Sequence, residues 1–254
     1  MIDFKGKTAL ITGASRGIGA ATAIKFAAYG ANVVLSARTK TQIEAVASTI
    51  QASGGSASAF TGNVGNYGDM EALVGHCVEQ FGSLDILVNN AGLIEPISRL
   101  AESDPEEWDM VADINYKGVY HGIRAALPVM LKQGSGTIVN ISSGAATGAL
   151  EGWSHYCSSK AAVLSLTKCV HKEEADNGIR IVGLSPGTVA TDMQIAIRQS
   201  GVNPVSQLDP GVHIPAEWAA EAVAWLCTDG GAEYAGTDFS LKTDEAKKLV
   251  GLNI

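Results

Sequence analysis

Thr8-Ala9-Leu10-Ile11-Thr12-Gly13-Ala14-Ser15-Arg16-Gly17-Ile18-Gly19 sets the architecture that the remaining sequence follows. The apolar run Ala9 to Ile11 ends in three glycines, spaced four and then two residues apart. Ala20, Ala23, Ile24, Ala27 and Ala28 then recur at helical intervals. The pattern is strand, tight turn, helix. Such a helix presents unpaired backbone N–H groups and the positive end of its dipole, both suited to a pyrophosphate. Glycines let the backbone turn sharply and approach the ligand. Gly13, Ser15, Arg16, Gly17, Ile18 and Gly19 are therefore candidate cofactor contacts.

Outward from this turn, apolar runs alternate with helical patterns. Strands are expected at Asn32–Ser36, Ala57–Phe60, Leu84–Val88, Gly136–Ile141, Ile179–Leu184 and Thr237–Leu241. Helices are expected at Thr41–Ala52, Asp69–Phe81, Pro105–Leu131 with an interruption, His155–Asn177 and Ala216–Cys227. Pro186 to Pro215 is polar, dotted with Gly and Pro, and carries no clear period. Strands alternating with helices predict an α/β doubly wound parallel sheet, a Rossmann fold of about seven strands covered on both faces. No linker or repeat interrupts it, so residues 1–254 are expected to form one dinucleotide-binding domain.

Composition narrows the function. The chain has 254 residues, 46% of them hydrophobic and 17% charged, with a net charge of −8. An acidic chain without a basic run is a poor nucleic-acid binder. No apolar run reaches membrane-spanning length, and Met1-Ile2-Asp3-Phe4-Lys5 is no secretory leader. Cys77, Cys157, Cys169 and Cys227 have neither C-x-x-C pairing nor metal-ligand spacing. They read as free thiols in a cytoplasmic protein that holds no metal.

In a dinucleotide fold the end of the second strand faces the adenosine ribose, where an acid favours NAD and an Arg the 2′-phosphate of NADP. Here the window is Leu35-Ser36-Ala37-Arg38, without an acid. Arg38, with Arg16 and Ser15 opposite, points to NADP(H), with NAD(H) the alternative. Further along, Tyr156-Cys157-Ser158-Ser159-Lys160 places a phenol and an ammonium on one helical face. An ammonium beside a phenol lowers its pKa and makes it a usable proton donor.

The spacing Gly-x-x-x-Gly-x-Gly, the stretch Asn89-Asn90-Ala91-Gly92, the Tyr156-x-x-x-Lys160 pair and Ser143, thirteen residues before that Tyr, together resemble the short-chain dehydrogenase/reductase family. The matching motifs span residues 8 to 191 in family order. The resemblance implies a catalytic set of Asn115, Ser143, Tyr156 and Lys160. It also implies cofactor contacts at Asn63, Val64, Asn90, Ala91, Gly92, Tyr156, Lys160, Pro186, Gly187, Val189 and Thr191. Asn63 stands where the family commonly has Asp, and Phe239 to Ile254 lacks the usual Val-Asp-Gly-Gly ending. The implied reaction is reversible hydride transfer between NADPH and a carbonyl carbon. Ser143 binds the carbonyl oxygen, Tyr156 donates the proton, Lys160 lowers the Tyr156 pKa and holds the nicotinamide ribose, and Asn115 supports a water path to Lys160.

For the substrate, residues 188–214 are expected to form a mobile lid. Met193 and Ile197 on it, with Leu150, Trp153 and Glu95 as further wall candidates, point to a hydrophobic ketone or diketone. Arg198 is the one basic residue of that segment. Thr191-Asp192-Met193-Gln194 weakly resembles the sepiapterin and benzil reductase branch. The alternatives are a non-catalytic NADP-binding sensor or scaffold, a 3-oxoacyl-type reductase, an NAD-dependent alcohol dehydrogenase, and an epimerase or dehydratase on the same scaffold. Apolar residues on two long helices (Ala125, Ala126, Leu127, Val129 and Met130; Ala161, Ala162, Leu164, Leu166 and Val170) exceed what one sheet face covers. In the family the corresponding helices pair across a two-fold axis, which implies a homotetramer.

Overall fold

Ala9, Leu10 and Ile11 are all fully buried, as a strand covered on both faces requires. They lie in β1 (Thr8–Thr12), one of seven strands in the computed structural model, which describes residues 2–253. Met1 and Ile254, the outer bounds of the expected domain, lie outside the described residues. The other strands are β2 (Asn32–Ala37), β3 (Ser56–Thr61), β4 (Ile86–Asn89), β5 (Gly136–Ile141), β6 (Ile179–Ser185) and β7 (Asp238–Ser240). All pair in parallel, in the order β3-β2-β1-β4-β5-β6-β7. The order reverses between β1 and β4, so the crevice for a ligand opens above their carboxyl ends.

Two helical layers cover the sheet. On one face, α1 (Gly17–Ala28), α2 (Lys40–Ala52) and α8 (Ala216–Leu226) bury Phe26, Ile43 and Val223 against Ala9, Ile11, Val33 and Leu35. On the other, α3 (Tyr67–Phe81), α5 (Gly118–Gln133) and α6 (Ser154–Glu174) bury Leu73, Ile123, Met130 and Val163 against Leu10, Val34, Leu87 and Ile138. Alternate residues of β1 thus feed the two cores, as the period of a strand dictates.

Local signals place the helix ends. Asn66 Oδ1 accepts from Asp69 N at 3.1 Å at the start of α3. Asp104 caps α4 (Pro105–Ala112) by accepting from Glu106 N and Glu107 N, with Pro105 at the first helical position. The expected interruption of the Pro105–Leu131 stretch is a π-helical turn, Asp113–Lys117, between α4 and α5. It carries Asn115 and turns it inward, fully buried. π-turns inside helices are frequent at functional sites.

Two helices escape the sequence pattern. α7 (Asp192–Ser200) lies in the unassigned Pro186–Pro215 segment, and α9 (Asp244–Leu249) follows β7. α9, six residues long, cannot show two full apolar periods, and α7 is flanked by the Gly- and Pro-dotted stretches that mask its period. α9 is started by Thr243, whose Oγ1 accepts from Ala246 N at 3.1 Å. One expectation changes. Ala125, Ala126 and Met130 do not form a surplus apolar face, because α5 buries all three in its own core. The large apolar residues left exposed around this helix are Tyr116, Tyr120 and Leu131, with Met110 on α4.

A buried polar chain ties α6 to the sheet. Asn89 Nδ2 donates to Asn140 Oδ1 at 2.9 Å, and Asn140 Nδ2 donates to Thr167 Oγ1 at 3.0 Å. The Thr167 hydroxyl in turn donates to Val163 O at 2.9 Å. Thr167→Val keeps the shape but strands the buried Asn140 amide. It should cost about 1–3 kcal/mol, the penalty for an unsatisfied buried donor. Urea unfolding measures it, and an unchanged midpoint would show that the chain contributes nothing to stability.

Candidate active site

The site is built where β1 and β4 end. Thr12 Oγ1 accepts from Asn90 N at 3.0 Å and Ala91 N at 3.2 Å, and donates to Val88 O at 3.3 Å. Asn90 Nδ2 donates to Thr12 O at 2.9 Å and Gly13 O at 3.1 Å. The glycine turn is thereby held against the end of β4. Gly13 adopts φ +63°, a left-handed conformation that favours glycine. A Cβ on Gly19 would lie 2.4 Å from Gly13 O, so only glycine lets α1 come this close. Arg16 caps α1 with extended backbone and no side-chain hydrogen bond. The first-turn N–H groups of α1 therefore have no side-chain acceptor at the helix's positive end.

From this turn a cavity of about 920 Å³ runs along the carboxyl ends of the strands. One end is lined by Arg38, Asn63 and Val64, the middle by Gly13, Ser15, Arg16, Gly17, Ile18, Asn90, Ala91 and Gly92. The other end is lined by Glu95, Ser143, Leu150, Trp153, Tyr156, Lys160, Pro186, Gly187, Val189, Thr191, Met193 and Ile197. Sequence candidates scattered over the chain thus share one cavity. Gly19 and Asn115 do not line it. Gly19 packs beneath the turn. Asn115 sits behind the wall, accepting from Leu93 N at 2.7 Å and donating to Leu93 O at 2.8 Å, and so fixes the loop after β4.

The two arginines differ. Arg16 pairs with Asp192 at 3.2 Å, so it bridges the glycine turn to α7. Arg38 forms no ion pair among the described residues and stays available for an anion. Asn63 Oδ1 accepts from Gly65 N at 3.0 Å, a local turn that occupies one of its lone pairs.

At the far end, Tyr156 and Lys160 sit one turn apart on α6, 8% and 5% exposed. The Lys160 ammonium donates to Ile141 O at 2.6 Å and stands 5.5 Å from the centre of the Tyr156 ring. Burial pushes the Tyr156 pKa up to about 12, with only the Ser143 hydroxyl opposing. Loss of hydration outweighs the hydrogen bond from Ser143. Burial also pulls Lys160 down to about 8, against the nearby Asp238 carboxylate. Ser143 Oγ accepts from Ala145 N at 3.2 Å. The neighbouring Ser142 hydroxyl is buried and faces the Asp238 carboxylate, whose charged form it favours.

The walls are apolar. Trp153 packs edge-on to Tyr156, with ring centres 5.5 Å apart, and Ile94, Ile197, Leu150 and Met193 complete the cluster. His155 donates from Nε2 to Ile94 O at 2.7 Å, pinning the loop after β4 from the α6 side.

Two residues at this end were not legible in the sequence. Asp238 Oδ2 accepts from Ser185 Oγ at 2.6 Å while its Oδ1 is buried without a partner, and burial raises its pKa. Lys242 lines the cavity beside Gly144 and Gly187. Both lie on or after the three-residue β7, and only the closing of the sheet brings that strand to the end of β6.

Comparison with known proteins agrees with this geometry. The family model for short chain dehydrogenases matches residues 7–201. The chain is 42% identical over 192 residues to a 3-oxoacyl-[acyl-carrier-protein] reductase of Staphylococcus aureus, covering 75% of this chain and 78% of that protein. It is 38% identical over 236 residues to a 3-oxoacyl-[acyl-carrier-protein] reductase of Synechocystis, covering 92% and 94%. A crystal structure from Sinorhizobium meliloti, assigned by its description to the short-chain alcohol dehydrogenases, superposes with a TM-score of 0.83 at 28% identity, covering 94% of this chain and 96% of that one. With a catalytic-type cavity at the switch point of a seven-stranded parallel sheet, the chain belongs to the short-chain dehydrogenase/reductase family and is an oxidoreductase acting on carbonyl or alcohol groups.

Proposed function

We propose that the protein is an NADPH-dependent carbonyl reductase acting on a ketone or diketone with a hydrophobic body. One observation carries the reading. A single cavity has an unpaired Arg38 at one end and the Ser143, Tyr156 and Lys160 side chains at the other. A nicotinamide dinucleotide fits the residues present. The uncapped first turn of α1 and the close approach at Gly13 and Gly19 suit its pyrophosphate, and Arg38 suits a 2′-phosphate. When bound, it supplies a hydride to the carbonyl carbon or takes one from the alcohol.

The chain's own groups do the rest. The Ser143 hydroxyl donates to the carbonyl oxygen as negative charge grows there. The Tyr156 phenol, protonated at neutral pH, passes its proton to that oxygen. Lys160 holds its ammonium beside the Tyr156 ring and would hold a ribose by turning from Ile141 O. Asn115 keeps the loop after β4 in register with the cavity wall. Trp153, Leu150, Met193 and Ile197 exclude water. Residues 188–214, carrying α7, cover the opening as a lid held to the glycine turn by Arg16 and Asp192. The names of the curated relatives favour a 3-oxoacyl thioester within the same reaction class. Relative kcat/KM for acetoacetyl-CoA and benzil separates the two substrates. Residues 1–254 act as one cytoplasmic domain in this reading, and Met110, Tyr116, Tyr120 and Leu131 are the apolar surface a homotetramer would cover.

Tyr156→Phe should lower single-turnover hydride transfer about 10²- to 10⁴-fold, the range for a lost general acid. NADPH binding, followed by fluorescence, should persist. Near-normal turnover would remove Tyr156 from the mechanism.

Arg38→Asp should lower kcat/KM for NADPH about 10- to 100-fold, since a charged hydrogen bond is replaced by repulsion. A wild-type preference for NADH over NADPH would overturn the cofactor assignment.

Because Lys160 loses its proton near pH 8, cofactor affinity should be full below that pH and fall as pH rises through it. The group binds its proton more weakly when buried, and only the protonated form attracts an anionic dinucleotide. Titration from pH 6 to 10 should show the fall in wild type and not in Lys160→Met. An unchanged profile in the variant would assign the effect elsewhere.

A further inference from the structure

Lys242 enters the substrate end of the cavity from an unexpected direction. Its backbone is held on both sides. Leu241 is buried and its N–H donates to Ser185 O at 3.0 Å, and Thr243 caps α9. The stem passes over Gly187, where a Cβ would lie 3.6 Å from Lys242 Cγ. The ammonium stops beside Gly144, where a Cβ would lie 3.1 Å from Nζ. The absence of a side chain at Gly144 leaves room for the ammonium.

The ammonium has no hydrogen-bond partner among the described residues. Among the described residues Lys242 forms no ion pair. Of the two carboxylates lining the cavity, Asp192 holds Arg16, and Glu95 forms no ion pair with Lys242. Lys242 is itself solvent-exposed, so its ammonium stands at the open rim of the cavity, where a substrate's anionic end can reach it.

Position separates this cation from the cofactor's phosphates. The pyrophosphate turn ends β1, whereas Gly144 follows β5, two strands away in the sheet. Strand spacing puts these about 10 Å apart. Gly144 is the residue next to Ser143, and consecutive Cα atoms are about 3.8 Å apart. Lys242 and Ser143 thus serve the same segment after β5, at adjacent residues.

We propose that Lys242 is a specificity-determining residue that binds a carboxylate of the substrate, making the preferred substrate an oxo acid whose apolar remainder rests on Trp153 and Met193. This rests on the reductase reading above and names the substrate class within it. Arg198, the basic residue noted in the sequence, does not line the cavity, and Lys242 replaces it as the relevant charge.

The test compares 2-oxo-4-phenylbutanoate and 4-oxo-4-phenylbutanoate with their methyl esters. The ester keeps the shape and removes the charge. The acid-to-ester ratio of kcat/KM cancels any general damage to the enzyme. In wild type the ratio should be about tenfold or more for at least one skeleton, the scale of a charge-assisted hydrogen bond. It should fall to about one in Lys242→Gln and persist in Lys242→Arg. A wild-type ratio of one or below, or one that Lys242→Gln leaves unchanged, would overturn the inference. Dissociation constants of the same four compounds, by calorimetry with NADP present, give the ratio without turnover. A charge preference that depends on Lys242 without any turnover would sink the reductase reading alone. Turnover with a ratio indifferent to Lys242 would sink this inference alone.

Discussion

Thr12 and Asn90 hold the protein's two halves together at the point on which the site depends. β1 and β4 are neighbours in the sheet but separated by more than seventy residues of sequence. Their carboxyl ends would be free to splay without a link beyond the ladder. Thr12 accepts two backbone N–H groups of the β4 end, and Asn90 returns two hydrogen bonds to Thr12 and Gly13. Satisfying these groups fixes the glycine turn against the following loop. The crevice between them is then a rigid feature of the sheet, and the cavity inherits its line from it.

The opposite end of the cavity is governed by burial. Tyr156 and Lys160 lie where water is scarce, and each is driven toward its neutral form. A phenol held protonated is suited to donating a proton to a forming alkoxide. Asp238, also pushed toward neutrality, stands near Lys160 and partly offsets the loss of its charge. Lys160 and Asp238 act as a pair, in which the protonation of one alters the cost of charging the other. Desolvation, rather than the Tyr–Lys spacing alone, sets how this end behaves.

Hydrogen bonds behind the wall supply the rigidity that the reacting groups lack by themselves. Asn115 and His155 grip Leu93 and Ile94 from two different helical segments. The chain Asn89–Asn140–Thr167 locks α6 to the strands beneath it. The π-helical turn is the local distortion that lets Asn115 face inward. These buried polar residues are thus directed at positioning one loop and one helix.

Much of this was readable in the linear order of residues. The alternation of strands and helices follows from apolar periods of two and 3.6, which are properties of the chain alone. The glycine turn, Arg38, Ser143, Tyr156 and Lys160 were legible because each sits next to a strand end or at helical spacing, where sequence distance stands in for distance in space. What required the tertiary structure depends on contacts between segments far apart. Nothing in the sequence places Asp238 by Lys160 or Lys242 by Gly144, since β7 reaches them only as the last strand of the sheet. Arg16's pairing with Asp192 and the inward packing of Ala126 and Met130 are of the same kind. The environment of Tyr156 is of the same kind: adjacency to an ammonium is visible in sequence, but the loss of solvent that raises its pKa is a property of the assembled fold.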